Sequence, residues 1–301
     1  MNEVLKVEGL KKSFNQKEVI RNVNLTIEKG KIYGLIGKNG AGKTTIMTMI
    51  LGQLKPDKGK IYVDGIKVEP GGEKTNQVIG YAPDTPSFYN YMTGQEYLEF
   101  CAKITHFKSS DLSKYVRSIL KKVGLIDVDV KKIKNYSRGM KQRLGIAQAL
   151  LSKPKLLICD EPTSALDPTG RKEILELLVS LKEEMTIVLS THILSDIEKI
   201  CDKVGFLSQG TIVKEGDLND LLKNHECSKQ LLITFTSQND LMHFIEKYNG
   251  RVLKMTEEEQ SVLIDGPIDE VMTELLRLSL NPDSIKHVHP SIEQLYLEVV
   301  G

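Results

Sequence analysis

The octapeptide Gly-Lys-Asn-Gly-Ala-Gly-Lys-Thr at residues 37–44 constrains this chain more than any other segment. It satisfies the pattern GxxxxGK[ST] in full, between an apolar run at 31–36 and a segment of helical character at 44–51. Glycines let the backbone curl so that successive N–H groups point at one anion, and the N-terminus of the following helix adds partial positive charge. Lys43 supplies a point charge for β- and γ-phosphates, and Thr44 a hydroxyl for a magnesium ion held largely by phosphates. The residues of this phosphate site are Gly37, Lys38, Asn39, Gly40, Ala41, Gly42, Lys43 and Thr44, with Thr45 behind them.

A second acidic feature gives the loop its counterpart. The apolar run at 156–159 ends in Asp160-Glu161. An acid at the carboxyl end of a buried parallel strand faces the crevice where ligands bind in α/β sheets. Asp160 is placed to hold magnesium, and Glu161 to polarise a water for attack on a γ-phosphate.

The rest of the chain fits around these two points. Short strands are expected at 5–7, 19–27, 31–36, 60–63 and 77–81, and helices at 93–104, 111–123 and 137–151, with Pro154 closing the helical block. Strand 155–159, helix 169–181 and strand 186–190 imply parallel pairing in a buried sheet. Residues 203–207 and 211–213 read as a hairpin around Gln209-Gly210. A polar stretch at 223–229 marks a boundary, followed by the order βαββαβ and a closing helix at 291–299. That order suggests a small ferredoxin-like α+β unit at 225–301 behind a nucleotide-binding unit at 1–222.

With 41 basic and 40 acidic residues, the chain gives no reason to expect nucleic acid as a partner. Cys101, Cys159, Cys201 and Cys227 are scattered without a CxxC pair, which argues for free thiols in a reducing compartment. The N-terminus lacks the apolar run of a secretory signal, and no run of about 18 apolar residues is present to span a bilayer.

Two further segments carry a family resemblance. Asp160-Glu161 continues as Pro-Thr-Ser-Ala-Leu-Asp167, and Tyr136-Ser-Arg-Gly-Met-Lys-Gln-Arg143 lies upstream. Together with the phosphate loop, residues 1–220 resemble an ABC-type ATPase, with Walker A, signature, Walker B, D-loop and H-loop in order. The resemblance implies an α/β P-loop NTPase cassette: a RecA-like core, an antiparallel β subdomain and a helical subdomain at about 85–151. It implies ATP and Mg2+ as cofactors. Phe14 would stack on adenine, unless it fills a strand core, and Val19 would touch the same base. Ser137 and Gly139 would reach the γ-phosphate of ATP held by a second subunit, although Ser137 also suits a plain helix N-cap. Asp167 falls in the subunit-contacting D-loop. His192 matches the switch histidine at the γ-phosphate, making Glu161 and His192 the catalytic pair.

The sequence departs from the family in two places. Asp84 stands where the Q-loop usually has Gln, and would approach magnesium or the attacking water. The usual LSGGQ reads Tyr136-Ser-Arg-Gly-Met140, which keeps Ser137 and Gly139. This variant, with the closing segment at 289–298, resembles the bacterial branch of bacitracin, lantibiotic and related antibiotic exporters. That branch implies a separate transmembrane permease, a second cassette in a head-to-tail homodimer, and a place on the inner face of the cell membrane. The remaining readings are an importer ATPase with a regulatory C-terminal domain, a soluble ABC ATPase acting outside transport, and a nucleotide-binding regulator that does not hydrolyse, against which Glu161 and His192 argue. For residues 225–301 dimer support, partner docking and ligand sensing all stay open.

Overall fold

Alternation of apolar and polar residues sets the first sheet. In the computed structural model, which describes residues 2–105, 111–126, 130–164, 166–223, 230–248, 250–288 and 291–300, two long strands open the chain: β1 (Glu3–Phe14) and β2 (Lys17–Glu28). They pair antiparallel, and β4 (Lys58–Val63) and β5 (Ile66–Lys67) extend the sheet in the order β2-β1-β4-β5. Register shifts interrupt the β1–β2 ladder, so the period-two pattern is broken where the sequence reads as a strand only at 5–7.

The central strands of the second sheet are buried and largely apolar, as strands covered on both faces require, whereas one edge strand is not. Its strands are β3 (Ile32–Ile36), β6 (Ile79–Ala82), β7 (Leu156–Asp160), β8 (Thr186–Thr191), β9 (Lys203–Ser208) and β10 (Thr211–Asp217). The order is β10-β9-β3-β8-β7-β6, parallel apart from the β9–β10 hairpin. Helix α1 (Lys43–Ile50) follows β3, and its Ile46, Met47, Met49 and Ile50 join the core formed by both sheets. The short α2 (Glu73–Asn76) precedes β6.

Three helices form the arm between β6 and β7. Helix α3 (Gly94–Ile104) starts at a capping box of Thr93 and Glu96, α4 (Leu112–Lys122) at Asp111, and α5 (Arg138–Leu150) at Ser137. Helix α6 (Pro168–Leu181) links β7 to its parallel neighbour β8 as the crossover of a βαβ unit. Helices α7 (Leu194–Ile200) and α8 (Leu218–Lys223) follow β8 and β10 and, like α2, are not among the helices expected from the sequence.

The chain divides into two compact units, Met1–Leu218 and Asn219–Val299. Most of the polar stretch read as a boundary, residues 224–229, lies outside the described residues. The second unit contains β11 (Gln230–Thr234), α9 (Gln238–Lys247), β12 (Arg251–Thr256), β13 (Ser261–Asp265), α10 (Ile268–Arg277), β14 (Ser284–His287) and α11 (Ile292–Val300). Its fully antiparallel order β12-β13-β11-β14 is the 4-1-3-2 arrangement of a ferredoxin-like sheet, read from the other edge. Leu231, Ile233, Val262 and Ile264 pack with Leu241 and Phe244 of α9 and Val271 and Leu275 of α10.

Candidate functional site

Three parallel neighbours aim the site. Strands β3, β8 and β7 lie side by side, so their carboxyl ends open in one direction. Beyond β3 the loop at 37–42 turns into α1. Gly42 has φ +111°, and a Cβ there would sit 2.5 Å from Ile20 Cδ1, so this turn tolerates glycine alone. The first N–H groups of α1 have no intrahelical acceptor.

Lys43 is only 7% exposed. Its Nζ donates to Gly37 O at 2.7 Å and stands 3.8 Å from Glu161 Oε1. Thr44 Oγ1 donates to Asp160 Oδ2 at 3.2 Å, which brings one hydroxyl and one carboxylate oxygen to a common point. Ser190 donates its hydroxyl to the other oxygen of Asp160. Glu161 N in turn donates to Ser190 O at 3.0 Å. Ser190 escaped the sequence reading, yet it is the register partner of Asp160 in the β7–β8 ladder, and aligning the two strands would have found it.

Glu161 is a non-glycine residue with φ +48°. Such a backbone costs about 1–3 kcal/mol and persists only where the surroundings hold it. Its Oε2 meets His192 Nδ1 at 2.8 Å and accepts from His192 N at 3.4 Å. A carboxylate can only accept, so it fixes Nδ1 as the protonated nitrogen of the ring. Asp84 joins from the loop after β6, accepting from Ser164 Oγ at 3.0 Å. The electrostatics are felt nearby: burial, then the charges of Asp160 and Asp84, raise the Tyr81 phenol above its ordinary value. Burial and Asp160 push the Cys159 thiol up to about 12.

Phe14, Val19, Lys38, Asn39, Gly40, Gly42, Lys43, Thr44, Thr45, Asp84, Asp160 and Glu161 line one cleft of about 410 Å³. Phe14 is 44% exposed at the end of β1, so it does not fill the strand core. Gly37 and Ala41 shape the same loop. Ser137, Gly139 and Asp167 are not among the lining residues. Ser137 caps α5, accepting from Met140 N at 3.2 Å, and open space surrounds Gly139. Asp167 is the exposed N-cap of α6. The segment Lys141-Gln142-Arg143 is no solvated turn: Gln142 is buried within α5, and Arg143 pairs with Glu173.

Known proteins resemble this chain in sequence and in fold. The family described as ABC transporter matches residues 20–164. The ABC transporter ATP-binding protein YxlF of Bacillus subtilis is 36% identical over 301 residues, covering 99% of each chain. The linearmycin resistance ATP-binding protein LnrL of the same organism is 32% identical, over 99% of this chain and 98% of its own. The lantibiotic transport ATP-binding protein SrtF of Streptococcus pyogenes is 38% identical over 78% of this chain and 97% of its own. Among solved structures, cbiO1 of Clostridium perfringens, part of the transporter complex cbiONQ, superposes with a TM-score of 0.69 at 29% identity. It covers 74% of this chain and 92% of its own. A dimeric, ADP- and Pi-bound cassette, MJ0796, gives 0.64 at 25% identity, over 71% of this chain and 98% of its own. The chain belongs to the ABC transporter ATP-binding proteins. It is the ATP-binding subunit of such a transporter, an ATPase whose hydrolysis drives transport.

Proposed function

We propose that this chain is the motor of an exporter for antibiotics, peptides or comparable amphiphiles, working as a head-to-tail pair of cassettes on a separate permease. The hydrolytic part rests on one observation above all: the Glu161 carboxylate lies 2.8 Å from His192 and beside Lys43, next to the Thr44–Asp160 pair. In this reading adenine lies against Phe14 and Val19, and the phosphates lie on the N–H groups at the start of α1. Lys43 neutralises the β- and γ-phosphates. Glu161 orients a water, accepts its proton as oxygen attacks the γ-phosphorus, and the bond to the β-phosphate oxygen breaks to release ADP. His192 keeps the Glu161 carboxylate in place.

Thr44 and Asp160 fit magnesium, a hard cation that takes one or two protein oxygens and fills its shell with phosphates and water. When bound, Mg2+ offsets the charge of the β- and γ-phosphates. Asp84 adds a third acid to the same cleft. The N-terminus of α5, with Ser137 and Gly139, is assigned to the γ-phosphate of the second copy, and Asp167 to the contact between copies. The dimeric MJ0796 cassette supports such a pairing, and a homodimer supplies the required two-fold.

The cargo class is supported by LnrL and SrtF, whose names refer to linearmycin resistance and lantibiotic transport. No helix among the described residues is long and apolar enough to cross a membrane. The reading therefore assigns the pathway to the permease and places this chain on the inner face of the membrane. A mild-detergent pull-down from the native cells, followed by mass spectrometry, tests it. A stoichiometric multi-spanning membrane protein is expected. Ribosomes, DNA or no partner, with ATPase intact, would move the assignment to a soluble ABC function. The 4-1-3-2 sheet favours one second reading, an importer with a ligand-sensing C-terminal unit. Saturating amino acids would then inhibit ATP turnover by the full chain with its permease, and leave an exporter unaffected.

A further inference from the structure

Asp196 lies in α7, four residues beyond His192, and is completely buried. A carboxylate taken out of water costs several kcal/mol unless good partners meet it. Here they do. Oδ2 accepts from Thr163 Oγ1 at 2.7 Å, and Oδ1 accepts from Arg171 Nε at 2.8 Å. Arg171 Nη2 stands 2.7 Å from the same Oδ1 and donates to Ser195 Oγ at 2.9 Å. Thr163 is itself buried, two residues beyond Glu161, and Arg171 belongs to α6. None of these groups lines the nucleotide cleft.

Their position gives them a task. The left-handed backbone of Glu161 needs anchors on both sides. Ser190, on the strand before His192, holds Glu161 N. Asp196, on the helix after His192, holds Thr163. The histidine's loop and the Glu161 loop are thus gripped together at two points that straddle the 2.8 Å contact between them.

We propose that Asp196 is a positioning residue for ATP hydrolysis. By clamping Thr163 against α6 and α7, it fixes the Glu161 carboxylate relative to His192 and the attacking water. This rests on the assignment of Glu161 as the residue that orients that water. A reacting group misplaced by about 1 Å loses on the order of a hundredfold in rate.

The test uses the full chain with its permease and the variants Thr163→Val, Asp196→Asn and Asp196→Ala, alone and combined with Glu161→Gln. Thr163→Val removes one hydroxyl with little change in shape. It and Asp196→Ala are expected to lower kcat by about ten- to a hundredfold. Binding of a fluorescent ATP analogue should stay within about twofold of wild type. In the Glu161→Gln background the same substitutions should change residual turnover by less than about twofold, which a merely structural role would not produce. Should Asp196→Ala fail to melt cooperatively, Thr163→Val and Asp196→Asn decide. Full kcat in Thr163→Val, with Glu161→Gln inactive, overturns the proposal alone. So does a parallel loss of kcat and nucleotide affinity. Turnover retained by Glu161→Gln removes the reading of Glu161, and the proposal with it.

Discussion

Replacing Glu161 by Gln isolates chemistry from binding, because the two side chains share one shape. The amide oxygen of Gln can keep the 2.8 Å contact with His192 Nδ1, and the backbone anchor to Ser190 O is untouched. Only the basicity and the charge are lost. A positioned general base contributes about 10²–10⁴ in rate, equivalent to about 3–5 kcal/mol of barrier. Affinity should move the other way or not at all. In the wild type Lys43 has a carboxylate oxygen 3.8 Å from its ammonium, and the neutral amide leaves that charge entirely to the phosphates. The expected outcome is turnover reduced by about 10²–10⁴ at saturating Mg-ATP, with ATP binding equal or tighter. Gel filtration with ATP should then show a persistent dimer. Turnover within about threefold of wild type, or ATP binding lost in the same proportion as turnover, would refute the role given to Glu161.

Other substitutions probe the remaining parts. Lys43→Ala removes a charged donor of the kind that contributes about 1.5–3 kcal/mol, so equilibrium ATP binding should weaken by about ten- to a hundredfold. Thr44→Ala should shift the Mg2+ titration of ATPase activity to higher concentration by about tenfold, and an unmoved titration would contradict its place at the cation. The Cys159 thiol, pushed up to about 12 by burial, should resist alkylation in the native chain at pH 8, and mass spectrometry should find it modified only after unfolding. Phe244 is fully buried and stacks on Tyr248 at 4.9 Å between centroids. Phe244→Ala should therefore cost about 3–5 kcal/mol in urea unfolding, and a loss below about 1 kcal/mol would contradict the packing.

The parts of the fold that the sequence displays are those with a local cause. Strands β3, β7 and β8 are fully buried, and each shows an apolar stretch of at least three residues, with polar residues in β7 and β8 kept to the strand ends. Loop 37–44 is legible because its backbone geometry demands glycine at fixed places, as the contact between Gly42 and Ile20 makes plain. Strand β1 is twelve residues long, but its ladder slips several times, and alternation survives only in patches. Helix α7 has seven residues and no side-chain cap, too little for a helical period to emerge. The contacts of Asp196 with Arg171 and Thr163 span 25 and 33 residues. Only the packing of α6 and α7 against the sheet brings them together, and nothing in residue spacing announces it. Asp84 was visible as a departure from a family pattern, whereas its partner Ser164 was not.

That partner has a consequence for what else can approach the cleft. A hydroxyl owns one hydrogen, and Ser164 spends it on Asp84 Oδ1. An amide at position 84 could have donated instead, leaving the serine hydrogen for another acceptor. With a carboxylate the bond runs in one direction only, and Ser164 has nothing but lone pairs to offer a third group. A backbone N–H or a lysine ammonium can therefore dock there without disturbing the link. A carbonyl or a phosphate oxygen must first break it.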